Sequence, residues 1–467
     1  MTPGNRSFFS CRAGAFPHDE GWVFLMVFAV VALIALLVVL IGWGKVPPFV
    51  AFLLTALAAA LCFHMPLDHV AKSMEKGVGD MLGSLTAIIC LGAMFGRSIA
   101  DSGAAQSIAR TLIGAVGLRF ILLAMALTGL IVGIPLFYSV GFVVMVPLIL
   151  TIAKRADLPP VYVGLPLLCG LSVAHGFLPP HPSPVALISL FGADTGLTLG
   201  YGMIVTVVAL AAGGPLLALT LKRLNAVPQG EIGAEAAFVV PETDETKTPG
   251  AFNSFTTALL PVVMIAATTA LVFSMKAPSE AKTLVTFVGQ PVVVLTLALI
   301  YATFSLGVLR GTPFRAQMGR YADSLKDVAG ILLILAGAGA LKQVFVDAGI
   351  SDHLGEILRA APLHPLVLGW LIAMIIRVAL GSATIAGLTA AGLVQPLLAS
   401  THVDPNLMVL AIGAGSLMFS HVNDPGFWLF KAYFGLDLKG TFLSWTVMES
   451  LVGVIGLLCV LGLSLVV

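Results

Sequence analysis

Four short stretches carry nearly all the chemistry that this apolar chain offers. Two are rich in histidine and proline: His175 to Pro184, with His175, His181 and Ser183 among four prolines, and Ser420 to Phe427, with His421, Asn423 and Asp424. Two are rich in glycine: Ile131 to Gly141, with Ser139 and Gly141, and Leu380 to Gly387, with Ser382 and Thr384. Histidine is the side chain that ordinarily exchanges its proton near neutral pH. His175, His421 and the carboxyl Asp424 are therefore the candidates for carrying a coupled proton. Hydroxyls at a glycine-rich turn, together with the free N–H groups and positive dipole end of the helix that follows, suit a carboxylate. Ser139, Ser382 and Thr384 stand at such turns. Asn423, His181 and Ser183 could meet ligand hydroxyls, and Arg377, just before the second glycine-rich turn, could attract an anion. No nucleophile motif accompanies these residues. The five cysteines (Cys11, Cys62, Cys90, Cys169, Cys459) are scattered without metal-ligand spacing, so no enzyme, metal centre, cofactor or disulfide framework is implied.

The elements that must position these residues lie in lipid. Hydrophobic residues make up 58% of the chain and charged ones 10%, where a soluble domain has roughly a quarter charged. Mean hydropathy is +1.04. The net charge of +1 favours no nucleic-acid partner. Trp22 to Gly44, Tyr201 to Leu221, Pro291 to Leu309 and Trp445 to Val467 are long apolar runs, each close to the ~20 residues that cross a bilayer core as a helix. Weak alternation and abundant Leu, Ala and Gly argue for helices over a barrel. The polar residues before Trp22 lack a cleavable signal pattern, so the first helix itself is expected to direct insertion.

The chain reads as two halves of one design. At a constant offset of 246 positions, Asp101 matches Asp347, Gly103 matches Gly349, Gly141 matches Gly387, Pro159 matches Pro405, His175 matches His421 and Pro179 matches Pro425. Repeated halves are a transporter signature. Arg110 and Arg119 lie in a loop whose counterpart carries Asp347, Asp352 and Glu356, while Arg310, Arg315 and Arg320 precede the second repeat. Basic residues collect in cytoplasmic loops, so equivalent loops fall on opposite sides and the repeat is inverted, with the N-terminus outside. The expected fold is an all-α polytopic membrane protein of two inverted repeats, each with a re-entrant hairpin and a broken transmembrane helix, about ten spans plus two hairpins in all. Its parts are a polar tail (1–21), a first membrane half (22–223, repeat core about 78–192), an acidic cytoplasmic linker (224–256) and a second half (257–467, repeat core about 324–438).

The apolar arms beside each glycine-rich turn read as roughly 12 to 15 residues, too short to span comfortably, hence the hairpins. The proline-rich breaks cannot continue a helix. Irregular backbone at membrane depth survives only where protein or a water-filled cavity satisfies it. Interrupted segments in corresponding places of two halves point to a substrate site near the midplane.

Three stretches, GLSVAHGFLPPHPSP from Gly170 to Pro184, RVALGSAT from Arg377 to Thr384 and FSHVNDPGFWLFK from Phe419 to Lys431, resemble the gluconate permease family of the ion transporter superfamily. The similarity runs from the first span to the last. It implies inner-membrane uptake of gluconate or a related sugar acid with protons by alternating access, the paired-hairpin fold and a homodimer. Some relatives take up D-serine or other small acids, and other superfamily members couple to sodium. Three positions depart from the family pattern: Leu380 stands where glutamine is frequent, Ser183 where glycine is, and Ala432 where an acid follows the lysine. The first two bear on which substrate fits.

Overall fold

The computed structural model describes residues 20–228, 230, 248–275, 279–349, 363–401, 403–422 and 424–467. The polar tail and most of the acidic linker therefore lie outside the described residues, as do Asp352, Glu356 and Asn423. In chain order the first helices are α1 (Glu20–Gly42), α2 (Pro48–Cys62), α3 (Leu67–Asp101), α4 (Ala104–Val116), α5 (Ile121–Gly133) and α6 (Tyr138–Ala156). Next come α7 (Pro160–Phe177), α8 (Pro182–Phe191), α9 (Thr195–Arg223), α10 (Ala251–Ser274), α11 (Glu280–Val288) and α12 (Pro291–Arg310). The last are α13 (Phe314–Asp347), α14 (Pro365–Leu380), α15 (Ala383–Ser400), α16 (Pro405–Leu417), α17 (Pro425–Tyr433) and α18 (Leu438–Leu463). Among the described residues seven helices are long and apolar enough to cross a membrane. The pair Ala104–Val116 and Leu118–Gly133, bent by 110°, makes an eighth if counted as one span. Further apolar helices, among them α2, α14 and α16, are shorter.

Proline sets the grammar of these elements. Pro48, Pro160, Pro182, Pro291, Pro365, Pro405 and Pro425 each stand in the first turn of a helix, where the missing N–H costs nothing and the fixed φ is already helical. The proline clusters thus end one helix and begin another. Asp194, Asp404, Asp424 and Asp437 cap helices by accepting from backbone N–H groups one turn in. Inside α9, the stretch Ala212–Leu216 loosens to π geometry around Pro215, the local answer to a residue that cannot donate. Helix α10 begins at Ala251, just after Gly250, within the segment read from sequence as linker. The arms beside the glycine-rich turns have 13 and 19 residues in α5 and α6, and 16 and 18 in α14 and α15. Three of the four run past the 12 to 15 expected, and α6 and α15 continue through internal prolines, Pro147 and Pro396, which membrane helices tolerate.

Apolarity is uniform along the chain, but burial is not. The most apolar window of the α7–α8 segment is 94% buried inside the protein, that of α10 only 22%. Helices α7, α8 and α16 are therefore the interior, and α10 is a lipid-facing wall. Helices α3 and α13, of 35 and 34 residues, run antiparallel: Gly77 meets Gly339, and Ser98 hydrogen-bonds Tyr321 at 2.7 Å. Small residues let membrane helices approach this closely.

The tightest approach is between α5 and α7. A Cβ on Gly129 would lie 1.9 Å from the carbonyl oxygen of Leu167, and a buried backbone carbonyl cannot swing aside. Overpacking costs about 1–3 kcal/mol, and this contact belongs at the upper end. Gly129→Ala is expected to lower the melting temperature in detergent by about 3 °C. Gly114→Ala, where a Cβ meets nothing within 4 Å, is the matched control. Equal melting of the two variants would refute the packing argument.

Candidate functional site

Three of the four helix breaks meet at one cavity of about 690 Å³, within the ~300–1,000 Å³ usual for small-ligand sites. The α5–α6 break contributes Phe137 and Tyr138, and the α14–α15 break contributes Gly381 to Thr384. Asp424, Pro425 and Gly426 come from the α16–α17 break. Ser172 and His175 on α7 face them, as do Trp445 and Glu449 on α18 and Arg377 on α14.

Local sequence explains how the charged residues are held. Gly381 ends α14 in the left-handed conformation, with φ +78° and its N–H on the Arg377 carbonyl at 2.8 Å. Ser382 then caps α15, its Oγ accepting from Ile385 N at 3.4 Å. Arg377 is 4% exposed. Its Nη1 donates to the Gly381 carbonyl and its Nη2 to Asp424 Oδ2 at 2.5 Å. The carboxylate is fixed in turn, because Asp424 caps α17, with Oδ1 accepting from Gly426 N at 2.8 Å. Ser420 Oγ donates to Asp424 Oδ2 and accepts from Trp445 Nε1 at 2.7 Å. Thr446 Oγ1 donates to the Ser420 carbonyl at 2.6 Å. One chain of hydrogen bonds therefore runs from the α14–α15 turn through the α16–α17 break to α18. A buried ion pair needs this much satisfaction to offset its desolvation.

Of the residues singled out by sequence, His175, Arg377, Ser382, Thr384 and Asp424 line this cavity. His181 and Ser183 do not. His181 is 4% exposed and its Nε2 lies 2.6 Å from the Gly133 carbonyl. A carbonyl only accepts, so Nε2 carries the hydrogen and the ring pins the first glycine-rich turn. Ser183, also buried, packs against Gly387, where an added Cβ would lie 3.1 Å from its Oγ. Gly141 serves the packing of α6 on Leu171, and His421 donates from Nε2 to the Val378 carbonyl at 3.1 Å. Ser139 stands in the first turn of α6.

Sequence reasoning passed over Tyr138, Ser172, Trp445 and Glu449. Glu449 is 3% exposed and accepts from Ser172 Oγ at 2.8 Å. Its signal was present: it is a lone acid inside an apolar run, and an intramembrane acid is costly unless it has a task. Tyr138 and Trp445 pack at a tilt of 56° with ring centroids 5.8 Å apart, and the His175 ring lies 6.4 Å from Tyr138. Three buried polar atoms at the cavity, Tyr138 OH, His175 Nδ1 and Arg377 Nε, have no partner among the described residues. Unpaired buried groups of this kind are where a ligand is repaid for losing water. With the N-termini of α6 and α15 at the cavity, the arrangement suits an anion carrying several hydroxyls.

A largely apolar cavity with a cluster of charged and hydrogen-bonding side chains, at the breaks of interior helices in an apolar multi-helix body, fits a membrane transporter. The chain belongs to the GntP permease family: the model for "GntP family permease" matches residues 24–466. It is 42% identical to the Gnt-II system L-idonate transporter of Escherichia coli K12, over 93% of this chain and 98% of that protein. It is equally 42% identical to a high-affinity gluconate transporter of E. coli K12, over 95% and 100%. A gluconate permease of Bacillus subtilis is 38% identical, over 95% and 100%. Among solved structures, the Alcanivorax borkumensis YdaH transporter shares the fold, with a TM-score of 0.65, 17% identity, and 90% of this chain and 98% of that one covered. The protein is thus a permease, not an enzyme, and a multi-pass protein of a bacterial inner membrane.

Proposed function

We propose that this permease takes up gluconate or a closely related sugar acid together with protons, by alternating access. The observation that carries the substrate class is the cavity itself, which joins Arg377 and the α15 N-terminus to the unpartnered Tyr138 OH and His175 Nδ1. The substrate carboxylate docks at Ser382 and Thr384, where helix N–H groups and Arg377 supply positive potential. Its hydroxyls reach Tyr138 and His175. The relatives named for gluconate and for L-idonate, at equal identity, support a six-carbon sugar acid without choosing between the two.

The element order supports two repeats; their inversion follows from the charge reading, and the homodimer is what the family resemblance implies. In each half a long helix (α3, α13) precedes a helix–turn–helix pair at a glycine-rich tip (α5–α6, α14–α15) and then a proline-broken interior segment (α7–α8, α16–α17). The correspondence extends beyond the core at a slightly shorter offset. Phe191 to Asp194 and Phe434 to Asp437 share a glycine at positive φ (Gly192, Gly435) and an aspartate that caps the next helix. Alternating access then follows as movement of the tip pairs against the long helices.

Uptake of labelled gluconate into proteoliposomes under an imposed inward proton gradient tests the reading. Gradient-driven accumulation, displaced by unlabelled gluconate and L-idonate but not by D-serine, is expected. Accumulation that needs sodium and ignores a protonophore would overturn the coupling. Absence of gluconate uptake alongside exchange of another acid would move the substrate, with the cavity residues Tyr138, Ser382 and Thr384 the first positions to vary.

A further inference from the structure

Glu449 is the one acid at the cavity that the ion-pair chemistry described above does not use. It sits in α18, one turn past the π-like stretch Phe442–Thr446, and is 3% exposed. Among the described residues no cation pairs with it, and its hydrogen-bond partner is Ser172 Oγ at 2.8 Å. The groups that face it are Ser172, Cys169 and His175 on α7, Tyr138 at the start of α6, Arg377 on α14, and Asp424.

The two cavity acids differ in what their partners permit. Two of the three partners of Asp424 can only donate, Arg377 Nη2 and Gly426 N, one on each carboxyl oxygen; the third is the Ser420 hydroxyl. That set fits a carboxylate, and a proton on either oxygen would face a fixed donor. The partner of Glu449 is a hydroxyl, which can donate to a carboxylate or turn and accept from an acid. Protonation at Glu449 therefore leaves its contact intact. The two acids are also mechanically joined, because Trp445 and Thr446, one turn before Glu449, hold Ser420 and through it Asp424. A substrate carboxylate that draws Arg377 away from Asp424 is felt in α18 at Glu449.

We propose that Glu449 carries the coupled proton: it gains the proton as the sugar acid binds beside Arg377 and loses it on the opposite side. One anion with one proton is electroneutral, so a pH difference of one unit drives about tenfold accumulation per coupled proton. Binding of proton and anion then favour each other by the same factor, as linkage requires. The inference rests on proton-driven sugar-acid uptake and assigns the residue that performs it.

The test uses the full chain in proteoliposomes, comparing the native protein with Glu449→Gln and Glu449→Asp. Glutamine keeps the size and the Ser172 contact and cannot release a proton. The expected result is that Glu449→Gln still exchanges labelled gluconate for unlabelled gluconate, while its accumulation under a pH gradient falls to the equilibrium ratio and substrate-elicited proton uptake disappears. Glu449→Asp is expected to regain gradient-driven accumulation with a displaced pH profile. Native accumulation by Glu449→Gln would overturn the proposal, and so would loss of exchange in both variants. If the native protein itself exchanges gluconate without responding to the proton gradient, the coupling reading fails first, which the native arm alone reports.

Discussion

Arg377→Gln is expected to lower initial gluconate uptake by about 100-fold, from the loss of charge-assisted hydrogen bonds worth about 1.5–3 kcal/mol. The arginine is buried and forked between the Gly381 carbonyl and Asp424 Oδ2, with Nε left over at the cavity. It shapes the turn before α15 and, on the proposed reading, supplies the positive charge that an anion meets. Arg377→Lys should fare little better, since a single ammonium cannot bridge two acceptors in the planar geometry that the fork occupies. Breaking the pair also leaves Asp424 as an uncompensated buried charge, which costs roughly 3–5 kcal/mol. Rates should therefore be read alongside melting temperature in the same detergent. Near-native uptake by Arg377→Lys would mean that a point charge suffices, and the forked geometry would lose its role.

How much of this was legible in the sequence follows from the range of each signal. Helix breaks are local, written in proline and glycine, and the breaks at His175 to Pro184 and Ser420 to Phe427 and both glycine-rich tips fall where those residues stand. What the sequence could not give is which broken ends share a space. His181 and Ser183 belong to the same motif as His175, yet a helix start turns them toward Gly133 and Gly387 and away from the cavity. Tyr138 and Ser172 looked like ordinary members of apolar runs, because only the convergence of α6, α7 and α18 makes their hydroxyls neighbours of a site. Glu449 was hidden differently: averaged over a span-length window, a single acid hardly dents the hydropathy of Trp445 to Val467. Arm length was misjudged because a single proline inside a membrane helix, Pro147 in α6 and Pro396 in α15, does not end it.

Asp424 is the sharper test of how the site is built, because sequence and structure give it different tasks. Read from sequence, it is a proton carrier. In the structure it fixes Arg377 and caps α17. Asp424→Asn should cut uptake by about 10-fold to 100-fold, a loss of roughly 1.4–2.7 kcal/mol in transport-competent geometry. The amide has one oxygen for the work of two. Facing Gly426 N with its oxygen, it sets its NH2 against Arg377 Nη2; turned around, it sets donor against donor at Gly426. The double variant Arg377→Gln/Asp424→Asn removes both charges and the conflict with them. It is expected to transport no worse than Arg377→Gln alone, and to melt higher than that single variant. The coupling energy in the melting cycle should reach about 1–3 kcal/mol. Additive losses in both uptake and melting would separate the two residues and return Asp424 to an independent role. A Glu449→Gln change combined with Asp424→Asn should instead add its effect in proton coupling to the effect on uptake if, as proposed, one acid orders the binding site and the other moves the proton.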